Sequence, residues 1–499
     1  MATDRRTFLK LSALGAGAIA GSFLPRGVFA REGGNASKIS RLIMQESYET
    51  DLPVANMCGF RAPKIPVVRI GFLGLGDRGG GAVERMSYID GVEIKALNDK
   101  REAAVKGSQQ ALKDAGLPTA VGYFGHDDAW KAVCERDDID LIYICTPWAL
   151  HTPMALYAME HGKHVAVEVP AAITLDEAWR LVVMSEKTKK HCMMLENCCY
   201  DFFELLTLNM ARQGFFGELV HAEGAYLHPL LDMNFTKPQD NQQYDNGYTD
   251  MWRLKQNARN GNLYPTHGLG PVCQLMNINR GDKMEYLTSM SGADFGMAQK
   301  AAELALGDPF YRPFTDMTFR GNMNTTLIRT LKGRTLMIQH DVTSLRPYSR
   351  IHMLTGTQGM ARKYPHPERI SRGHEWVDEK EMKKLEKKYT IKMVKKIGAM
   401  AKKVGGHGGM DFLMDWRLID CLRNGLPLDQ DVYDAALWSA ISPLSEWSVA
   451  NRSNSVDVPD FTRGNWKVNA PVDLTLKGGG TTGVRDVSDA DSKKQLEVH

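Results

Sequence analysis

Between residues 67 and 197 the chain alternates short, almost uninterrupted apolar runs with longer stretches whose apolar positions recur every three to four residues. The runs VVRIGFL (67–73), VEIKALND (92–99), DLIYICTP (140–147), HVAVEVP (164–170) and CMMLEN (192–197) have strand length, while 152–161 and 175–189 have helical spacing. Apolar strands without polar alternation are those covered on both faces, so this half predicts a doubly wound parallel sheet of the Rossmann kind, an α/β fold. Beyond residue 200 the pattern changes. A helix, DFFELLTLNMARQ (201–213), leads into the alternating run LVHAEGAYLH (219–228). Further strands follow in 324–344, with Lys332-Gly333 as a hairpin turn, and in RIHMLTGTQG (350–359). These predict an α+β C-terminal domain with an open, mostly antiparallel sheet. Helical spacing returns at 410–425 and 431–453, in helices expected to pack back on the first domain.

Three segments break the pattern. The stretch 375–403 is dense in Lys and Glu and is expected to be a solvated helix face, with membrane contact as the alternative. The polar stretch 232–250 is expected to be a long loop of the kind that often carries function. The glycine-rich tail after about 475 is expected to be loose, and there are no internal repeats. At the other end, Arg5-Arg6, a weakly apolar run and the small-residue end Val28-Phe29-Ala30 resemble a twin-arginine export signal cleaved after Ala30, although Asp4 stands where the usual pattern has serine. An uncleaved anchor is the alternative, but the run is short and rich in Gly and Ala. The division expected is a signal at 1–30, an extension at 31–63, a dinucleotide domain at 64–198, a substrate domain at 199–475 and a tail at 476–499.

Composition changes this picture little. With 43% hydrophobic and 24% charged residues in a 499-residue chain, two or three cores are expected. A formal net charge of +3 gives no support to nucleic-acid binding, which needs a dense basic face. The eight cysteines show no framework and no CxxC pair, so they read as buried thiols, with neither a disulfide scaffold nor a zinc site.

The first strand runs directly into GLGDRG, which places Gly74, Gly76 and Gly79 at the spacing of a dinucleotide-binding turn, and the second strand ends at Asp99. Such glycines allow a tight turn and close approach of a pyrophosphate to a helix N-terminus, and Asp99 can accept hydrogen bonds from ribose hydroxyls. NAD is therefore the expected cofactor; Lys100 and Arg101 could meet a 2′-phosphate, which Asp99 would repel. The covered face of the second sheet is expected to look onto the nicotinamide. Ligands of such sheets lie beyond the strand C-termini, where this chain has Trp148 and His151, Glu168 and Val169, and Asn197. In MWRLKQNARNGNLYPTHGLGP, Tyr264, Thr266 and His267 follow a polar turn, with Arg253 upstream. Tyrosine and histidine together can move protons at a carbinol or an enolate, so His267 and Tyr264 are the expected catalytic pair. The alternative for His267 is a satisfied histidine at a helix start. Tyr226, His228 and Tyr348 are further groups suited to a sugar pocket.

The stretches VRIGFLGLGDRGGGAVERM, CTPWALHTPMALYAMEHGKHVAVEVPAA and MLENCCYDFFELLTLNMARQG resemble the Gfo/Idh/MocA oxidoreductase superfamily. NLYPTHGLGPVCQLMNINRGD, IQHDVTSLRPYSRIHMLTGTQG and GGHGGMDFLMDWRLIDCLRNGLPLDQDVYDAALWSA are narrower, and resemble glycoside hydrolase family 109, the NAD-dependent α-N-acetylgalactosaminidases, from about residue 55 to 470. The resemblance implies NAD contacts at Asp77-Arg78, Asp99, Trp148 through His151, Glu168-Val169 and Asn197, and Trp252 is assigned to the same seat. It implies sugar contacts at Tyr226, Arg253, Tyr264, Pro265, Thr266, His267 and Tyr348. The wider superfamily carries Glu-Lys-Pro where this chain has Glu168-Val169-Pro170, and the missing lysine argues against a simple dehydrogenase.

The activity implied is hydrolysis of terminal α-linked N-acetylgalactosamine by transient oxidation at C3, elimination across C1–C2, water addition and re-reduction. An exported enzyme finds no nicotinamide pool, so a cofactor that returns to its starting state in each turnover meets the need. A periplasmic NAD(P)-dependent sugar oxidoreductase with tightly bound cofactor is the alternative, and a non-catalytic NAD- or glycan-binding protein a third. The expected partners are a glycan ending in N-acetylgalactosamine and the twin-arginine machinery; a homo-oligomer stays open.

Overall fold

The computed structural model describes residues 55–237 and 251–485. The expected export signal, the extension as far as residue 54, residues 238–250 of the polar stretch and the tail from 486 lie outside the described residues.

The first sheet holds β1 (Val68–Leu73), β2 (Val92–Asn98), β3 (Val121–Tyr123), β4 (Leu141–Ile144), β5 (His164–Val167) and β6 (Cys192–Met194), in the spatial order β3-β2-β1-β4-β5-β6 and parallel throughout. Every residue of β4, β5 and β6 is buried, as expected of strands covered on both faces. The order reverses between β1 and β4. The crevice beyond their C-terminal ends is where such sheets bind ligands. Two segments mark that point: the glycine turn after β1, and Cys145–Pro147, which leads into the helix Trp148–Glu160.

The second sheet contains β7 (Leu219–Leu227), β8 (Met284–Ser291), β9 (Asn324–Thr330), β10 (Thr335–Asp341), β11 (Met353–Gly356), β12 (Met360–Arg362), β13 (Arg369–Arg372), β14 (Glu375–Trp376) and β15 (Val456–Asp457). Its order is β14-β13-β12-β11-β7-β10-β9-β8-β15, antiparallel except where β10 runs parallel to β7. The hairpin between β9 and β10 turns at Gly333, whose φ of 80° explains the glycine. The helix Thr266–Met276 lies on β7 at unusually close range. A Cβ on Gly224 would stand 2.2 Å from the carbonyl oxygen of Gly268, and a Cβ on Gly268 would stand 2.2 Å from the amide of Ala225. Only this glycine pair lets the first turn of the helix press onto the strand, and that contact fixes where His267 points.

The C-terminal helices pack back as the periodicity indicates. Met410–Asn424 is buried on all sides from Met410 to Leu422, and Asp415 accepts hydrogen bonds from Arg85 Nε and the Tyr143 hydroxyl of the first domain, each at 2.8 Å. Val432–Ala450 packs on Leu175–Thr188, where the Tyr433 hydroxyl donates to Glu186 at 2.8 Å.

Two expectations need correction. The charged stretch 375–403 is not one solvated face: it forms β14 and two helices, Glu379–Tyr389 and Lys392–Val404, whose Leu385, Tyr389, Met393, Ile397, Ala401 and Val404 are buried. The lysines do face water; the apolar stripe between them does not. The tail is not loose as far as residue 485, because the Asp420 carboxylate accepts from the amides of Gly480, Thr481 and Thr482. Among the described residues no helix is long and apolar enough to cross a membrane.

Candidate active site

One cavity of about 490 Å³ runs from the glycine turn of the first sheet to β7 of the second. Gly74, Gly76, Asp77, Arg78, Asp99, Trp148, His151, Glu168, Val169, Asn197 and Trp252 all line it, as do Tyr226, Arg253, Tyr264 and His267. Pro265, Thr266 and Tyr348 do not. Pro265 and Thr266 are buried in the turn that starts the helix, and Tyr348 stands behind the wall, with its ring edge-on to His228 at 5.0 Å and to Tyr226 at 6.2 Å.

The glycine end fits a dinucleotide. Gly74 has φ 85°, and a Cβ on it would meet the Cys145 carbonyl at 2.7 Å; a Cβ on Gly79 would lie 1.9 Å from the Gly74 carbonyl. The turn therefore closes only with glycine, and it delivers the N-terminus of the helix Asp77–Met86, where a pyrophosphate is stabilised by unpaired amides. Asp99 braces the turn by accepting from the Leu75 amide at 2.8 Å, and from the amide and Nε of Arg101. Lys100 is engaged with Asp127, so both cations that could have met a 2′-phosphate are paired with carboxylates.

Arg78, Glu168 and Asn197 belong to one network whose buried hub is a residue the sequence reading missed. The Arg78 guanidinium bonds Glu168 Oε1 at 2.8 Å and Asp411 Oδ2 at 2.8 Å. Asp411 also accepts from the Asn197 amide and from His407 Nδ1. Burial alone would raise its pKa, but Arg78, Arg85 and His407 together hold it well below the usual carboxylate range. His407 lines the cavity from a turn, Gly405-Gly406-His407-Gly408-Gly409, in which it adopts φ 47° itself. His151 reaches the cavity but braces it rather than facing a ligand with its nitrogens. Its Nδ1 lies 2.7 Å from the Pro170 carbonyl and its Nε2 2.6 Å from that of Thr146.

At the far end the wall is aromatic. Trp148 stacks on Tyr264 at 5.6 Å and 17°, Trp252 meets Trp148 edge-on, and Arg253 covers Trp252. Tyr226 and Tyr264 both flank the His267 ring, at 5.4 and 4.9 Å. Such flat apolar faces beside polar edges suit a sugar ring. His267 Nδ1 lies 2.8 and 3.0 Å from the two carboxylate oxygens of Glu196. Donation from Nδ1–H to that carboxylate assigns Nε2 as the basic nitrogen. Glu196 is fully buried; burial would raise its pKa, but His267 and further hydrogen bonds pull it below the ordinary value. Gly270 makes the room, since a Cβ there would lie 2.8 Å from Glu196 Cγ. Burial drives the Tyr264 phenol well above its usual range, with Tyr226, Glu168 and Glu196 adding to it, so Tyr264 stays protonated. Glu196, Cys198 and His267 also bring ligand atoms within 4.8 Å of one another. Burial raises the Cys198 thiol well above its ordinary range, which makes it a weak metal ligand. Val169 is buried in the cavity wall and offers no proton acceptor where a lysine would.

Residues 68–196 match the model of the oxidoreductase family with an NAD-binding Rossmann fold, and 200–468 match that of the glycosyl hydrolase 109 C-terminal domain. An alpha-N-acetylgalactosaminidase of Bacteroides fragilis is 50% identical over 416 residues, which are 83% of this chain and 96% of that protein. A glycosyl hydrolase family 109 protein of Porphyromonas gingivalis is 49% identical over 425 residues, 81% of this chain and 86% of that one. Among solved structures, levoglucosan dehydrogenase in complex with NADH and L-sorbose superposes with a TM-score of 0.58 at 16% identity, covering 79% of this chain and all of that one, which shows a common fold. The chain belongs to glycoside hydrolase family 109: it is a glycoside hydrolase whose Rossmann domain binds NAD.

Proposed function

From that membership we propose that the enzyme releases terminal α-linked N-acetylgalactosamine by an oxidation–elimination–addition–reduction cycle. The observation that carries this reading is the single cavity joining the dinucleotide turn to the His267–Glu196 pair. The 50% identical relative named for this activity supports the choice of sugar. NAD, when bound, would supply the reversible oxidation of the sugar carbinol at C3; the C3 hydroxyl proton leaves to solvent water in the open cavity and is taken back from it when the alcohol is restored.

The chain's own groups do the rest. The aromatic wall of Trp148, Tyr226 and Tyr264 orients the ring, and the protonated Tyr264 donates a hydrogen bond to the oxygen at C3. A ketone at C3 acidifies the C2 hydrogen, and His267 Nε2 accepts that proton while Glu196 stabilises the imidazolium. The electron pair left at C2 forms the C1–C2 double bond as the C1–O bond breaks. His407, held by Asp411, gives a proton to the departing oxygen and then takes one from the water that adds at C1. His267 returns its proton to C2, and the C3 alcohol is restored.

The test is turnover of p-nitrophenyl α-N-acetylgalactosaminide in D₂O. The expected product carries deuterium at C2 and none at C3, and activity depends on retained NAD. Product unlabelled at C2, from enzyme indifferent to NAD, would leave an ordinary displacement. A lactone and a polyol in place of released p-nitrophenol would support the sugar oxidoreductase.

We further propose export by the twin-arginine route, supported by Arg5-Arg6 and the small-residue end at Ala30. That route carries folded proteins, so NAD can be loaded before export. Cell fractionation of the R5K/R6K variant should find the enzyme retained in the cytoplasm; unchanged export would rule the route out.

A further inference from the structure

A second, much smaller cavity, about 20 Å³, adjoins the aromatic end of the large one, with which it shares Trp148, Tyr226, Arg253, Gln256 and Tyr264. Its remaining walls are the buried apolar Leu230, Leu263 and Val342 together with the buried polar Asn234, Asn257 and His340. One polar group stands out. Asn234 is 3% exposed, and its Nδ2 is buried with no hydrogen-bond partner among the described residues. A buried amide donor without a partner is rare in a folded protein and calls for an explanation. The position is firmly held. The Asn234 amide bonds the Leu230 carbonyl, and the adjoining Phe235 is locked into a separate apolar cluster, where its carbonyl accepts from the Tyr311 hydroxyl at 2.7 Å.

The pocket thus sets the unpartnered Asn234 donor beside the apolar faces of Leu230, Leu263 and Val342, with room for a group the size of a single methyl or water, for which roughly 10–15 Å³ is enough. A carbonyl oxygen joined directly to a methyl group satisfies both features at once. A hydroxyl satisfies the donor and leaves the recess empty. A longer acyl chain does not fit.

We propose that this pocket, closed by Leu230, Leu263 and Val342 and headed by Asn234, seats the acetamido group of the substrate, with the acetyl oxygen accepting from Asn234 Nδ2. The assignment rests on the reading that the large cavity takes an α-N-acetylgalactosaminide. It gives the enzyme a means of preferring a 2-acetamido sugar to a 2-hydroxy sugar. A site built to hydrogen-bond a substrate group discriminates strongly against an analogue lacking it, because the buried group is then left unpaired.

The test compares kcat/KM of the full-length, NAD-loaded enzyme on p-nitrophenyl α-N-acetylgalactosaminide, its N-propanoyl analogue and p-nitrophenyl α-galactoside. Release from the acetamido substrate by the unaltered enzyme is the control for the underlying reading; its absence would sink that reading and not merely this one. With activity present, N-propanoyl should be at least tenfold worse than N-acetyl. Asn234→Leu should lower the acetamido-to-hydroxyl ratio by about 10- to 100-fold, and Val342→Ala should improve the N-propanoyl analogue relative to N-acetyl. NAD retained through gel filtration certifies that each variant is folded. Should Asn234→Leu lose its cofactor, the Val342→Ala ratio decides alone. An unchanged ratio in a folded Asn234→Leu, or equal use of N-acetyl and N-propanoyl before and after Val342→Ala, would overturn the assignment.

Discussion

His267 and His407 each stand in the cavity wall with Nδ1 against a buried carboxylate, and the chain builds the two pairs in different ways. His267 sits in the first turn of a regular helix clamped onto β7 by Gly224 and Gly268, with 13% of its side chain exposed. Its partner Glu196 arrives from the far end of the other sheet. His407 lies between two pairs of glycines in a left-handed conformation, with 49% of its side chain exposed, and its partner Asp411 follows four residues later. The first pair is fixed by tertiary packing and the second by local backbone. On the proposed reaction this division makes sense. The proton at C2 has one position in every substrate, and misplacement of a base by an ångström is costly. The leaving group changes from glycan to glycan, and a half-exposed acid on a glycine turn can meet it.

The largest expected effect separates the pairs directly. His267→Ala should lower kcat/KM by ~10²–10⁴-fold, the usual contribution of a general acid–base group, while NAD still co-elutes with the protein. A loss below tenfold would mean that the pairs are interchangeable, and the comparison would fail.

The carboxylates should then differ in kind. Asp411→Asn removes the charge shared by Arg78, Arg85 and His407 and leaves the arginines short of a partner; breaking a buried pair costs about 3–5 kcal/mol. The expected outcome is a lower Tm together with loss of NAD on gel filtration, since Arg78, Glu168 and Asn197 lose their hub. Glu196→Gln, by contrast, should keep its NAD and lose rate. If both variants behave alike, Asp411 serves His407 only and not the cofactor seat. A smaller effect is expected from Gly406→Ala. Gly406 has φ 79°, and a Cβ would lie 2.7 Å from Asp411 Cβ, so the substitution adds about 1–2 kcal/mol of backbone strain and displaces the His407 turn. A rate loss near tenfold, larger for poor leaving groups than for p-nitrophenol, would place the strain on the leaving-group step.

The two pairs were not equally readable from the sequence, and neither was read in full. The glycine turn and Asp99 form a local motif, because the turn and the acid meet across neighbouring strands. His267 followed from its place in YPTH, but its partner lies 71 residues away, and periodicity carries no information about which polar groups meet. Glu196 did leave a trace: a charged residue ending an apolar strand, beside an Asn197 that was singled out. His407 left a clearer one, since a histidine between glycine pairs fits no core helix. The same limits shaped the fold. β3, β12, β13, β14 and β15 have two to four residues each, too few to show a period of two. In 379–404 the density of lysine masked the stripe from Leu385 to Val404. At His151 the rule that strand ends face ligands held for the position and not for the polar atoms, which the backbone claims.

The smallest effect on kcat tests the premise that the cofactor seat can be altered without touching either pair. Among the described residues the Asp99 carboxylate accepts from the Leu75 amide of the glycine turn and from Arg101, at the opposite end of the cavity from Tyr264, and its oxygens keep lone pairs for ribose hydroxyls. Removing a hydrogen bond to a charged group costs about 1.5–3 kcal/mol, so Asp99→Ala should weaken NAD binding by roughly ten- to 150-fold. Part of that loss will come from the Leu75 amide, which Asp99 holds in the turn. Asp99→Asn keeps an acceptor for that amide and should recover part of the affinity. With NAD added to saturation, kcat on the p-nitrophenyl substrate should return close to that of the unaltered enzyme, because His267–Glu196 and His407–Asp411 are untouched. A kcat that stays depressed at saturating NAD would show that the turn also sets the depth of the nicotinamide, and through it the distance from the sugar to His267. The cofactor seat and the two proton-transfer pairs would then be a single mechanical unit.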